Sequence, residues 1–271
     1  MRKILIPFFA FIILSVNAVA QTPRDIKTEA IPVYMFQATY AFHLPAFDNK
    51  ALYGVSNNVG GGFVFKSENN LLLTFNANYI FGPQVKSDRE GYEGRVGILG
   101  EGITTVDGEI TGSSGSFATL SISQRGFHAQ GEVGYLFPLG PNPNSGLFVQ
   151  AGLGYLCNRI RIDFETNLYN TPYVVYEDYE YGYDRMRGGM AGHFEAGYLY
   201  VGETRVLNFS VSLEVTYART KELRKYDFRV FDGVPVGYTD PNKRYNDLYY
   251  GIRVCWNIPT YQRQPDEYYY D

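Results

Sequence analysis

Eight segments of the chain alternate between apolar and polar residues with a period of two. In residues 248–258, LYYGIRVCWNI, every even position is apolar or aromatic, and the odd positions are mixed and mostly polar. Successive side chains of a β-strand point to opposite faces, so this pattern indicates a strand with different surroundings on its two faces. The same alternation occurs in residues 33–44, 58–66, 71–81, 127–137, 147–157, 190–200 and 207–217.

Short and long connections alternate between these eight predicted strands. The short ones, rich in the Gly, Pro, Asn and Ser that tight turns favour, are residues 67–70, 139–146 and 201–206. The long ones are residues 45–57, 83–124, 159–188 and 218–246. Each alternating run matches the roughly 9–11 residues that a tilted strand needs to cross a bilayer. We therefore predict an all-β fold: an eight-stranded antiparallel up-and-down transmembrane β-barrel with short periplasmic turns and long extracellular loops.

The composition indicates which face of each strand meets lipid. The chain has 25 Tyr, 19 Phe and 29 Gly, which suits sheets, aromatic interfaces and tight turns. An eight-stranded barrel has an interior that side chains only just fill, so small polar residues belong inside and the apolar set faces the outer-membrane lipids. A soluble barrel would need the opposite arrangement. The net charge of −4 gives no electrostatic footprint for nucleic acid.

The first residues indicate export. Arg2 and Lys3 precede a short apolar run, and Ala18-Val19-Ala20 has the small residues of a cleavage site, so residues 1–20 are expected to be a signal peptide. The apolar run is too short to span a membrane. We expect residues 21–30 to be a periplasmic N-terminal segment, 31–258 the barrel and 259–271 a periplasmic tail. The predicted location is the outer membrane of a Gram-negative bacterium.

The last predicted strand carries a motif. Tyr249, Gly251, Val254 and Trp256 follow the order of a polar residue, a glycine and two hydrophobic residues. This order resembles the signal that the outer-membrane assembly machinery recognises in OmpA/OmpX-like eight-stranded barrels. The resemblance covers roughly residues 31–258 and implies that machinery as a partner during insertion. Such barrels commonly end at the closing aromatic residue, whereas this chain continues, and its ending resembles an uncharacterised subgroup of outer-membrane barrels.

Charged residues fall on the inward positions of five predicted strands. Glu132, Glu195, Glu214 and Arg253 all point into the lumen, as does Lys66. A charge in a narrow interior is costly unless it is paired. We therefore predict an ion-pair network around Arg253 that plugs the barrel, and a gated path for protons or solutes is the alternative.

The three histidines are inward too, but their pattern gives no strong sign of a metal or of catalysis. His43, His128 and His193 lie on strands that are not neighbours, so a metal site would require convergence across the lumen. The sequence has no nucleophile elbow, HExxH or paired-cysteine motif. We therefore expect no metal, no cofactor and no enzyme activity.

The long loop of residues 159–188 is the most distinctive predicted surface. It contains six tyrosines among acidic residues, and Tyr provides large contact area at low entropy cost. It is a candidate site for a protein or glycan partner, although strand-to-strand packing explains the tyrosines equally well. The sequence thus favours a monomeric barrel with a plugged lumen and a structural, adhesion or docking role. The alternatives are an accessory barrel of a secretion or assembly complex, a narrow channel, and a hydrolase with a site at the rim.

Overall fold

The computed structural model describes a barrel and parts of its connections. The described residues are 28–86, 110–112, 114–118, 120–164, 184–202, 206–224, 227–228, 237–238 and 242–260. The predicted signal peptide, most of the tail after residue 258, and most of the tyrosine-rich loop lie outside these residues. Predictions for those segments stay predictions.

Eight long strands form one closed antiparallel ring. Each strand pairs with its neighbours in sequence, and the first pairs with the last. The predicted fold class is therefore confirmed. The strands are β1 (Val33–Phe47), β2 (Ser56–Lys66), β3 (Leu71–Gly82), β4 (Leu120–Pro138), β5 (Gly146–Phe164), β6 (Arg187–Val201), β7 (Asn208–Glu222) and β8 (Tyr245–Pro259).

Smaller elements lie in the long connections. Helix α1 (Asp48–Leu52) occupies part of the loop between β1 and β2. Two-residue ladders join Ile110–Thr111 to Phe117–Ala118 and Asp227–Phe228 to Gly237–Tyr238. Within the described ranges, the helical content includes no segment long and apolar enough to cross a membrane.

The pairing of β1 with β8 closes the ring. It runs from Met35 opposite Pro259 to Phe47 opposite Asp247, so neither strand is left with an unpaired edge along this seam. Gly251 has a steric role here. A Cβ atom at this position would lie 2.0 Å from the carbonyl oxygen of Phe42. Gly251 therefore permits the close approach of the two strands.

The outward face is an apolar belt, as predicted. Leu213, Val133 and Leu153 are 65%, 60% and 69% exposed, values that a water-soluble protein would not show for a whole face of a sheet. Aromatic side chains flank this belt at both ends, as at the two interfaces of a bilayer. At the short-turn end they include Tyr34, Phe36, Tyr135, Phe137, Tyr200, Phe209 and Trp256; at the loop end they include Tyr40, Phe42, Tyr79, Phe127, Tyr155, Tyr217 and Tyr250.

Several strands continue beyond the belt on the loop side. β4 and β5 have 19 residues each. At a rise of about 3.3 Å per residue and a tilt of about 35–45°, such strands reach about 40–50 Å along the barrel axis, against an apolar band of about 25 Å. The outward positions past Phe127 and Tyr155 include Arg125, Arg159 and Arg161. The predicted strand ends at residues 127 and 157 thus mark the end of lipid contact, whereas the strands themselves run further.

We expect an outward arginine to destabilise the barrel. Leu213→Arg and Val133→Arg should each cost about 2–4 kcal/mol and impair insertion, because the guanidinium would lie in hydrocarbon. Leu213→Met is the matched control and should fold normally, since it keeps an apolar side chain of similar volume. Urea unfolding and heat-modifiable mobility on gels measure both effects. Normal folding of both arginine variants in the outer membrane would contradict the lipid-facing assignment.

Candidate functional site in the barrel lumen

An apolar plug fills the short-turn end of the lumen. Ile31, which precedes β1, folds into it, and its backbone N–H donates to Oδ1 of Asn144 (3.1 Å) in the turn between β4 and β5. Lys66 Nζ donates to the carbonyl oxygens of Ile31 and Ser67, both at 3.3 Å, and so lies at this end of the barrel. The plug consists of the buried side chains Ile31, Val33, Met35, Val64, Leu72, Leu136, Phe148, Leu199 and Val201.

A second apolar layer closes the lumen toward the loops. It consists of Ile80, Leu156, Ala191, Ala218 and Tyr249, and the Tyr249 hydroxyl accepts a hydrogen bond from Gln124 Nε2 (2.7 Å). Beyond it, Leu52 and Tyr53 are fully buried in the loop that contains α1. Burial raises the pKa of the Tyr53 phenol, which therefore stays un-ionised. We call the layer formed by Ile80, Leu156, Ala191, Ala218 and Tyr249 the upper layer.

Between the plug and the upper layer lies a cluster of charged side chains. Register explains its composition: Glu195 of β6 pairs directly with Glu214 of β7, and Arg253 of β8 pairs with Ser212 of β7. Arg253 Nη2 lies 2.5 Å from Glu214 Oε2, and its Nη1 lies 3.9 Å from Glu195 Oε2. Each of these three side chains is at least 97% buried. Together with Glu132, His43 and His193, they form what we call the charge cluster.

Neutral donors complete the environment of two of the carboxylates. Gln150 Nε2 donates to both Glu132 Oε2 (3.0 Å) and Glu195 Oε2 (2.9 Å), and so holds the two carboxylates in a fixed relation. Ser212 donates to Glu195 at 2.5 Å, and Gln130 donates to Glu132 at 3.0 Å. A buried carboxylate with such partners is less costly than a bare one.

The histidines enter the same cluster. His193 Nε2 lies 3.0 Å from Glu132 Oε1, 3.6 Å from Glu214 Oε2 and 3.7 Å from Glu195 Oε2. His43 Nε2 contacts the other oxygen of Glu214. The His128 ring lies 5.7 Å from the His193 ring, centroid to centroid. Side chains from strands that are not neighbours thus converge, because the lumen is narrow.

One group in this cluster has the composition of a metal site. Glu132, His193 and Glu195 each offer one ligand atom, and these atoms lie within 4.8 Å of one another. All three side chains are buried. The sequence pattern suggests the three histidines as candidate metal ligands, whereas the structure combines one histidine with two carboxylates.

The residues of the predicted assembly signal point to different sides of β8. Val254 and Trp256 face outward and are 47% and 49% exposed, while Tyr249 faces the lumen and Gly251 faces β1. Trp256 Nε1 donates to the carbonyl oxygen of Val206 (2.7 Å), which ties β8 to the turn between β6 and β7. Recognition of this strand by the assembly machinery stays a prediction.

Sequence reasoning missed the plug and the neutral partners of the charges. The plug has a signal in the sequence: alternation breaks where strands meet the short turns, as in Leu71-Leu72-Leu73 and Leu147-Phe148-Val149. An apolar residue at an inward position there indicates a sealed end. The roles of Gln150 and Ser212 have no such signal, since they depend on which strands are neighbours.

A cavity of about 20 Å³ lies between the plug and the charge cluster, lined by residues that include Met35, Phe148, Gln150, Glu195 and Arg253. This is room for about one water molecule.

The lumen of this ring holds charged and polar side chains and its outer surface is apolar, which is the reverse of a soluble barrel. A closed ring satisfies its backbone hydrogen bonds internally, as a bilayer requires, and its exposed apolar belt flanked by aromatic residues meets lipid. This chain is an eight-stranded transmembrane β-barrel. The predicted type of barrel is thereby confirmed.

Comparison with known proteins finds similar solved structures, while no protein-family model and no curated protein matches the chain. It is similar to Ail of Yersinia pestis, solved with the heparin analogue sucrose octasulfate (9% identity, 84% of this chain and 99% of Ail, TM-score 0.39). Neisserial surface protein A is also similar (13% identity, 82% of this chain and 96% of that protein, TM-score 0.35). A third similar structure is OprG of Pseudomonas aeruginosa (12% identity, 86% of this chain and 99% of OprG, TM-score 0.41).

We expect Arg253 and Glu214 to be energetically coupled. Arg253→Met should destabilise the barrel by about 3–5 kcal/mol, because it leaves buried carboxylates without their cation. Adding Glu214→Gln to that variant should recover at least about 1 kcal/mol relative to additivity. A double-mutant cycle by urea unfolding in detergent measures the coupling.

Lys221→Met is the control for that cycle. Lys221 is an exposed outward cation on β7, so its loss should change stability by less than about 0.5 kcal/mol. Strictly additive effects of the Arg253 and Glu214 substitutions would show that the two side chains do not form a stabilising pair.

Proposed function

We propose that this barrel is a sealed membrane anchor with a structural, adhesion or docking role at the cell surface. The observation that carries the proposal is closure of the lumen at three successive levels: the plug, the charge cluster and the upper layer. In this proposal the protein acts neither as a diffusion pore nor as an enzyme.

Each level opposes the passage of ions for a different reason. The plug and the upper layer are apolar, and hydrophobic constrictions exclude water and hydrated ions. In the charge cluster, Arg253 pairs with Glu214, and Gln150 donates to Glu132 and Glu195, so that side chains held by one another lie across the path that an ion would take. The same closure separates these carboxylates from any substrate in bulk water, which argues against catalysis by the cluster.

The loop side has the length that surface display requires. β4 and β5 extend past the apolar belt, and residues 83–119, 165–186 and 223–244 connect strand ends on that side. The sequence of residues 165–183 is rich in tyrosine and acidic residues, a composition favoured in contact surfaces. We therefore assign the docking role to the loops and expect a protein or glycan partner.

The ring needs no second chain to close. β1 pairs with β8 over residues 35–47 and 247–259, so every barrel strand has two neighbours within one molecule. This arrangement supports a monomer that contacts the surrounding lipid directly.

Planar-bilayer recording tests the sealed lumen. The purified protein should give no steady current, and Arg253→Ala should also stay closed, because the plug remains intact. Arg161→Ala is the control for surface effects, because it removes the same charge from a position outside the lumen. Steady open-channel currents from the unmodified protein would favour the narrow channel.

A loop replacement tests the docking role. Replacing residues 165–183 with a short Gly-Ser linker should leave the barrel inserted and heat-modifiable. It should weaken adherence of expressing cells to protein- or glycan-coated surfaces by about tenfold, which corresponds to about 1.4 kcal/mol. The control is a variant in which the same segment keeps its tyrosines and exchanges its acidic residues for amides. Unchanged adherence, together with co-purification of a stoichiometric partner after mild detergent extraction, would favour the accessory-barrel alternative.

A further inference from the structure

We infer that the charge cluster holds one divalent transition-metal cation between Glu132, His193 and Glu195. This site lies inside the lumen, and it does not depend on the docking role of the loops. Its ligands come from β4 and β6, which β5 separates in the ring.

Charge balance is the first reason for the inference. Three buried carboxylates, Glu132, Glu195 and Glu214, face a single guanidinium, that of Arg253. With neutral histidines the cluster carries two negative charges in excess, which is costly between two apolar layers. One divalent cation supplies the two positive charges that are missing.

The distances around His193 are the second reason. Its Nε2 atom is surrounded by carboxylate oxygens at 3.0, 3.6 and 3.7 Å, from Glu132, Glu214 and Glu195. Ligand atoms that bind Zn²⁺ tetrahedrally at about 2.0–2.2 Å lie about 3.3–3.6 Å apart. The observed separations bracket this value, so small side-chain shifts suffice to coordinate an ion.

The orientation of His193 is the third reason. Its Nδ1 atom lies 2.8 Å from the Thr216 hydroxyl, which fixes the ring. Its Nε2 atom is buried and makes no hydrogen bond in acceptable geometry, although carboxylate oxygens lie close to it. A metal-binding histidine typically donates the N–H of one ring nitrogen to an outer partner, which leaves the other nitrogen to bind the ion. Thr216 is such a partner for Nδ1, and Nε2 is the nitrogen on the side of the carboxylates.

Gln150 supplies the outer support of the proposed site. It donates to one oxygen of Glu132 and to one oxygen of Glu195, and so orients both carboxylates. The oxygens that face His193 are Oε1 of Glu132, which also accepts from Gln130, and Oε2 of Glu195, which is the oxygen that accepts from Gln150. Such outer hydrogen bonds typically set metal affinity by a factor of about 10–100.

The ligand types select the ion. One imidazole and two carboxylates suit Zn²⁺, Mn²⁺, Fe²⁺ or Co²⁺, whereas Ca²⁺ prefers six to eight oxygen ligands. The plug and the upper layer close the lumen from both ends, so we expect the ion to enter while the barrel folds. Because the assembled site exists only in the folded barrel, binding should stabilise that state.

Refolding with Co²⁺ tests the inference with a spectroscopic readout. The full chain is unfolded in urea with EDTA, exchanged into metal-free buffer, and refolded in detergent with excess Co²⁺. We expect a visible d–d absorption band and about one Co²⁺ per folded chain after removal of free ion. Zinc added during refolding should abolish the band by competition.

Variants locate the ion. His193→Gln should abolish the band, and Glu132→Gln should weaken Co²⁺ binding at least tenfold. Gln150→Leu should weaken it by about 10–100-fold, as the loss of an outer hydrogen-bonding partner does. His43→Gln is the control and should keep the band, because His43 contacts Glu214 and lies outside the proposed ligand set. Heat-modifiable mobility on gels establishes that each variant is folded.

Two results would overturn the inference. The first is a folded wild-type chain that retains no Co²⁺ and shows no band, which would mean that protons on the histidines neutralise the cluster. The second is a folded His193→Gln variant that binds Co²⁺ as tightly as the wild type. If that variant does not fold, the wild-type stoichiometry and the folded Glu132→Gln variant decide.

Discussion

The closure of β1 on β8 is the constraint on which the rest of the structure depends. A bilayer offers no water to satisfy backbone N–H and C=O groups, so a sheet that crosses it must have no free edge. The seam between residues 35–47 and 247–259 meets that requirement, and Gly251 permits the close approach it needs. Once eight strands are joined in this way, the width of the lumen is fixed.

That width decides the chemistry of the interior. An eight-stranded ring encloses only as much space as side chains can fill, so residues on distant strands meet at the centre. His193 of β6 reaches Glu132 of β4, and His43 of β1 reaches Glu214 of β7. Arg253, Gln150 and Ser212 engage the carboxylates and so lower the cost of burying them. A wider ring would hydrate the same residues and leave a channel.

The proposed surface role depends on both ends of the barrel. At the short-turn end, the plug buries its apolar side chains, including Ile31 from the segment before β1. On the other side, β4 and β5 extend beyond the lipid and carry outward arginines in place of aromatic residues. The proposed metal would add a further link between β4 and β6.

The sequence by itself determined the fold class, the number of strands and the face of each residue, because period-two alternation depends only on local backbone geometry. Leu213 was predicted to face lipid and Glu214 the lumen from their positions alone, and the structure places them so. Only the tertiary structure decided which lumen residues touch. The register and tilt of the strands bring Gln150 between Glu132 and Glu195 and set Thr216 against His193. Those contacts join residues far apart in the chain, and no local pattern specifies the stagger between strands that aligns them.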